Sequence, residues 1–181
     1  MNFFKYITQD WPANKGNIKG KIILTLFRIA NFCSLQKAYY YIGFPYLLFY
    51  RVLVEWFFSV EIPWNTKIGK NLALYHGQSL VMTNQVVIGE NCKLRQCTTI
   101  GTKQLPDSSY SPSPVIGNNV DIGSNACIIG DITIGDNAKI GCGAVVVKSV
   151  SAYSTVVGNP AVEKKRPNPD QQVIYLYEQP A

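Results

Sequence analysis

The chain has 181 residues and a single histidine, His76. Imidazole is the side chain that ordinarily exchanges a proton near neutral pH, and this chain has only one to offer. That count excludes any mechanism or metal site that needs two histidines from one chain. The five cysteines, Cys33, Cys92, Cys97, Cys127 and Cys142, form an odd set with no CxxC pair. That pattern argues against a zinc site and against a secreted disulfide framework. Reduced, mostly buried thiols and no metal are expected. Lys and Arg outnumber Asp and Glu by 17 to 11, a net charge of +6 that suits phosphorylated cofactors or acidic surfaces. The basic residues are scattered without a stacking platform, so no nucleic acid is expected as a partner.

The elements that must hold these groups fall into two regions of different pattern. Apolar residues make up 47% and charged residues 15% of the chain, enough for a packed core. Residues 1–60 read as helical. Ile22, Leu26, Ile29 and Cys33 recur at helical spacing, with Lys21 and Arg28 on the polar side. A second helix is expected from about Pro45 to Val60, with Pro45 in its first turn. Ala38–Tyr41 and Phe44 are aromatic enough for core, subunit contact or peripheral membrane contact. No export signal is recognisable. The longest uncharged run of the helical region, Ala38–Tyr50, has 13 residues, short of the ~20 that span a bilayer. A cytoplasmic location is expected, with the inner face of the membrane as the place an aromatic N-terminal region would favour.

From Lys67 onward the pattern has a period of six. Ile116, Ile122, Ile128, Ile134, Ile140 and Val146 are six apart, and Gly117, Gly123, Gly135 and Gly141 follow four of them. Met82, Ile88, Leu94 and Ile100 form an earlier series, and Ile68 and Leu74 an entry pair. An aliphatic-Gly-x-x-small-x hexapeptide is the signature of a parallel β-helix, in which each repeat is one side of a triangular prism. The fold class expected is mainly β, a parallel β-helix over 61–161 preceded by a small α-helical region over 1–60 and followed by a tail over 162–181. Two breaks interrupt the period: a two-residue slip between Leu74 and Met82, and an insertion that places Lys103–Ser113 in a protruding loop. Counting coils across both breaks sets Gln96, Ser124 and Cys142 in one column above His76. Such a column is a groove for a long thin ligand.

The Ile-Gly hexapeptides, the closing Val157-Gly158-Asn159-Pro160-Ala161 and the helical N-terminal segment resemble the serine acetyltransferase branch of the left-handed β-helix acyltransferases. Tyr75-His76-Gly77 through Gln96 and Thr99-Ile100-Gly101 are more similar still to the O-acetyltransferases of exopolysaccharide assembly, such as the colanic acid type. The resemblance spans about residues 20 to 165. It implies a left-handed helix, acetyl-CoA as acyl donor, and a homotrimer, or a dimer of trimers, with each site between two prisms. It implies His76 as general base and Glu61, fifteen residues earlier, as the carboxylate that orients it. It places Thr102, Ser124 and Cys142 along the acetyl-CoA groove. Lys148 and the Lys164, Lys165 and Arg166 cluster are candidates for the coenzyme phosphates, and Tyr75, Arg95, Gln96 and the 103–113 loop for the acceptor.

The serine enzymes carry an aspartate before the catalytic histidine, where this chain has Tyr75. They carry an Arg-His pair after the loop, where it has Pro112-Ser113-Pro114. These departures favour a sugar hydroxyl of a surface polysaccharide, or its lipid-linked precursor, over serine. Serine O-acetylation is the alternative, and a non-catalytic β-helix scaffold the alternative of another class. The zinc hydratases that share this fold need three histidines and are excluded.

Overall fold

The computed structural model describes residues 2–35 and 37–164, with backbone only for 37–40. Lys165, Arg166 and the remainder of the expected tail lie outside the described residues. Helix α1 (Phe3–Ile7) is followed by α2 (Ile18–Ser34), capped by the Asn17 side chain, which accepts from Gly20 N at 2.9 Å. Helix α3 (Lys37–Tyr50) runs on as a π-helical stretch over Arg51–Phe57. The second helix therefore starts well before Pro45, which lies inside it. Burial of Leu47, Tyr50 and Val54 against α2 and the solenoid outweighs the one backbone N–H that proline removes. No helix among the described residues is long and apolar enough to cross a membrane.

Helix α2 also departs from its expected orientation. Ile22 is 48% exposed, whereas Arg28, expected on the polar side, is 1% exposed. The inward face is Ile23, Leu24, Phe27 and Ala30. The reason lies in what α2 covers. It crosses the first coil of the β-helix, where strand amides and carbonyls have no coil beneath them, and a buried backbone polar group needs a partner. Arg28 donates to the Ile68 and Gly69 carbonyls at 2.7 and 2.6 Å and to both Asp10 oxygens at 2.7 and 3.1 Å. Asp10 in turn accepts from Leu72 N at 2.9 Å. Asn14 donates to Leu72 O and accepts from Leu74 N, and Asn17 donates to Leu74 O. Side chains from the helical layer thus complete the edge of the first coil two residues before His76.

Five coils follow. The strands are β1 (Val60–Glu61), β2 (Lys67–Ile68) and β3 (Ala73–Tyr75); β4 (Leu80–Met82), β5 (Val87–Ile88) and β6 (Lys93–Arg95); β7 (Thr99–Gly101), β8 (Val115–Ile116) and β9 (Asp121–Ile122); β10 (Cys127–Ile129), β11 (Thr133–Ile134) and β12 (Lys139–Ile140); β13 (Val145–Val146) and β14 (Thr155–Val157). A final strand, β15 (Val162–Lys164), pairs antiparallel with β14. Every third strand stacks in parallel, giving three faces: β1-β4-β7-β10-β13, β2-β5-β8-β11 and β3-β6-β9-β12-β14.

The six-residue series forms the interior ladders. Met82, Ile100, Ile128 and Val146 are in register on the first face, and Ile68, Ile88, Ile116 and Ile134 on the second. The small residue of each repeat is buried as well: Val120, Ala126, Ala138 and Ala144. Two inward positions per hexapeptide fill a narrow prism at close-packed density. The turn between the second and third faces repeats asparagine in the left-handed region at Asn71, Asn91, Asn119 and Asn137, with φ from 55° to 62°. Asparagine is the non-glycine residue that tolerates this conformation best.

The expected 103–113 loop leaves the corner after β7 as a small hairpin. Lys103 N donates to Ser111 Oγ at 2.9 Å, Ser111 N to Lys103 O at 2.8 Å, and Thr83 and Ser113 share a hydroxyl contact of 2.8 Å at its base.

Candidate active site

The corner between the third and first faces carries the column expected from the repeat. Tyr75 is opposite Arg95, Lys93 opposite Asp121, and Asp121 opposite Lys139. His76, Gln96, Ser124 and Cys142 are therefore successive residues of one corner. The amides at that corner stack in the same order, with Asn125 N bonded to Gln96 O and Gly143 N to Ser124 O at 3.1 and 2.9 Å.

His76 stands where this corner is enlarged. Val81 pairs with Thr99, eighteen residues on, but Tyr75 pairs with Arg95, twenty on, so the two extra residues fall between His76 and Leu80. His76 itself has φ of 64°, and Gly77 and Ser79 are also left-handed at 73° and 55°. A γ-turn closes around the histidine, with Gly77 N donating to Tyr75 O at 2.8 Å. The turn is held from three sides. Ser79 N donates to Ser59 O at 2.7 Å and Cys97 N to Gln78 O at 2.8 Å. The Gln78 amide, oriented by its neighbours, donates to the His76 carbonyl at 2.8 Å and accepts from Lys19 Nζ at 2.7 Å. A strained backbone held this firmly fixes the direction of an exposed ring.

Glu61 and His76 are not joined. Among the described residues no hydrogen bond links them, and Glu61 is exposed on β1, beyond the enlarged corner. Its electrostatic neighbour is Glu55, whose carboxyl is pushed up by burial, drawn down by Arg51, and raised again by the Glu61 charge.

Above the histidine the column is polar. Gln96 Oε1 is buried and, among the described residues, has no hydrogen-bond partner, an arrangement that costs free energy unless something else supplies a donor. Cys142 is exposed, and its thiol is drawn below the ordinary value of 9.0, mainly by the Ser124 hydroxyl, then by the Ser124 amide, with the Arg95 charge assisting. Donors at Ser124 thus converge on a place where negative charge is favoured. Cys97 and Cys142 are exposed, so the thiols are less uniformly buried than expected, although all five are unpaired.

Tyr75 and Arg95 are already engaged with each other. The Arg95 guanidinium lies 5.6 Å from the Tyr75 ring centre and donates to Asp121 Oδ1 and Ile122 O at 2.5 and 2.8 Å. Arg95 therefore braces the corner and adds positive potential to it, while Tyr75 presents its ring on the third face.

Thr102 and Lys148 fall on the other edge of the first face. The register of β7, β10 and β13 sets Thr102, Gly130 and Lys148 in one column, with Asn84 below Thr102 and Trp64 below Asn84. Sequence reasoning passed over the foot of this second column. There a cavity of about 640 Å³ is lined by Ser34, Arg51, Trp64, Asn65, Thr83 and Asn84, with Arg51 4.7 Å from the Trp64 ring centre. An aromatic face ringed by amides and a guanidinium is chemistry that binds sugars. Its residues come from the helical layer and two coils, so no local motif announces it.

A prism of hexapeptide coils bearing one histidine beside a polar axial groove defines a β-helix transferase. Residues 113–148 match the family described as bacterial transferase hexapeptide (six repeats). The colanic acid biosynthesis acetyltransferase WcaB of Escherichia coli (strain K12) is 34% identical over 157 residues, 84% of this chain and 95% of that protein. The crystal structure of Neisseria gonorrhoeae serine acetyltransferase superposes with a TM-score of 0.78 at 28% identity, covering 94% of this chain and 70% of that one. The serine acetyltransferase of Brucella abortus strain S19, solved in complex with coenzyme A, shares the fold, with a TM-score of 0.75 at 24% identity over 92% of this chain and 69% of that one. The chain belongs to the hexapeptide-repeat transferases, left-handed parallel β-helix enzymes, and is an O-acetyltransferase.

Proposed function

We propose that the protein transfers the acetyl group of acetyl-CoA to a sugar hydroxyl of a surface polysaccharide or of its lipid-linked precursor, on the cytoplasmic side of the membrane. The observation that carries this reading is the His76 column, in which the unpartnered Gln96 Oε1 sits next above the histidine. An acceptor hydroxyl can donate to neither His76 nor Gln96 without approaching the groove. A neutral His76 ring nitrogen takes the hydroxyl proton as the oxygen attacks the thioester carbonyl. The tetrahedral intermediate then expels the coenzyme thiolate, which recovers the proton from the imidazolium, and no covalent enzyme intermediate is needed. Such a base contributes about 10²–10⁴-fold, and alignment of donor and acceptor contributes further.

In this reading the pantetheine arm follows Ser124 and Cys142. Thr102 and Lys148 meet the coenzyme from the edge of a second copy, because in one chain they border the opposite side of the first face. A homotrimer supplies that edge. Trp64 and Asn84 of the second copy then stand at the height of His76, so the cavity beside them is the acceptor's. Glu61 orients His76 only if the acceptor complex draws the two together.

Serine is the second reading, favoured by the fold similarity to serine acetyltransferases. Against it, the residue before His76 is Tyr75, stacked with Arg95, where a carboxylate would be needed to hold an ammonium group. Incubation with acetyl-CoA and the purified surface glycan of the source bacterium, with serine in parallel, tests both. The expected product is a glycan ester detected by mass spectrometry and reduced about a hundredfold or more with His76→Asn. Preferential formation of O-acetylserine would overturn the assignment.

A further inference from the structure

Helix α3 and its π-helical extension are apolar on both sides but packed on one. Leu47, Tyr50 and Val54 are buried, while Ile42, Leu48, Phe49, Val52, Trp56 and Phe57 are 47–80% exposed. A helix apolar all round is ordinarily covered all round, and an exposed stripe of this extent marks an interaction surface. The first 60 residues also hold seven of the Lys and Arg residues against two acids, Asp10 and Glu55, with no acidic residue between those two. Both acids are taken, Asp10 by the buried Arg28 and Glu55 by Arg51 at 3.3 Å. The helical layer thus carries a net charge of +5, and among the described residues its Lys5 and Lys15 are exposed.

We infer that the α3 face is a docking surface for an anionic lipid bilayer. Charge decides between a bilayer and a second copy. Two such layers brought face to face would set a net charge of +5 against another of +5, with Asp10 and Glu55 on each side already paired. An anionic bilayer neutralises the lysines and takes up the apolar stripe, with Trp56 suited to the headgroup boundary. The layer caps the first coil, where Ser79 of the His76 turn is bonded to Ser59 just after the π-helical stretch. Docking would therefore bring the histidine end of the solenoid to the lipid surface. That consequence gains a use if the acceptor is lipid-linked, but the docking itself does not depend on it.

Sedimentation with vesicles tests the inference on the full chain, without any activity measurement. Vesicles of phosphatidylcholine containing about one-third phosphatidylglycerol should carry the protein down, vesicles of phosphatidylcholine alone should not, and high salt should release it. The triple variant Ile42→Ser, Phe49→Ser, Trp56→Ser should bind about tenfold or more weakly, with an unchanged circular dichroism spectrum and urea midpoint. Lys5→Glu with Lys15→Glu, both exposed, should weaken binding to the anionic vesicles with the same fold controls. Equal binding to neutral vesicles, no binding to either, or full binding by the triple variant would overturn the inference. So would light scattering in which the wild type has twice the mass of the triple variant and binds no vesicles, since a second copy would then cover the face.

Discussion

Replacing His76 tests the mechanism only if the turn that holds it survives. The residue has φ of 64° inside a γ-turn. An alanine there would carry the left-handed penalty of about 1–2 kcal/mol without the local hydrogen bonding that offsets it, so loss of activity in His76→Ala mixes folding with chemistry. Asparagine avoids this. It already occupies left-handed corners at Asn71, Asn91, Asn119, Asn125 and Asn137, with φ between 55° and 62°. His76→Asn should therefore unfold within about 0.5 kcal/mol of wild type in urea, the range of a tolerated surface change. Its amide cannot accept the proton, so kcat should fall by about 10²–10⁴, or roughly 2.7–5.5 kcal/mol of transition-state stabilisation. The KM for acetyl-CoA should stay near wild type. Released coenzyme A measured by mass spectrometry gives both parameters and avoids thiol reagents that would attack Cys97 and Cys142. A variant that keeps its stability and more than a tenth of wild-type kcat refutes His76 as the base. A raised KM with unchanged kcat refutes it differently, by assigning the ring to binding.

Two further outcomes follow from the same geometry. The lowered pKa of Cys142 means that its reactive thiolate persists to lower pH than in an ordinary thiol, so alkylation should reach half its maximal rate below pH 9.0, with Ser124→Ala moving that midpoint upward. Coenzyme A should slow the reaction, while Cys92, pushed up to about 11 by burial, should label only on unfolding. Asp10→Asn keeps an acceptor for Leu72 N but leaves the Arg28 guanidinium buried without its counter-charge. It should lower stability by about 3 kcal/mol in urea, the low end for a broken buried pair because two carbonyls still bind Arg28.

The solenoid was legible in the sequence because its physics is one-dimensional. A coil contacts only its neighbours, so the inward ladder repeats at a fixed interval and each break in phase is itself a measurement. Counting across the two-residue slip and the loop insertion was enough to stack Gln96, Ser124 and Cys142 over His76. The same counting located the slip between Leu74 and Met82 but gave neither the γ-turn it makes at His76 nor the lack of a hydrogen bond between Glu61 and His76 among the described residues. Nor could it assign Arg28. A helical wheel sees a charge and turns it to solvent, because nothing local says that carbonyls forty residues later are waiting for donors. The Trp64 cavity was hidden for the same reason, being assembled from Ser34 and Arg51 in the helical layer and from Trp64 and Asn84 in successive coils.

What the periodic reading missed lies at one end of the molecule, and that end performs three tasks at once. Asp10, Asn14, Asn17 and Arg28 satisfy the open edge of the first coil. Lys19, through Gln78, steadies the carbonyl of the histidine. The outer side of α3 is left apolar. A β-helix needs a cap at its first coil in any case, since unpaired strand edges invite association. Once a helical layer is required there, its inner side is fixed by the strand it completes and its outer side is free to vary. The His76 turn sits between the two, its carbonyl bonded to Gln78 and Gln78 to Lys19 of the helical layer.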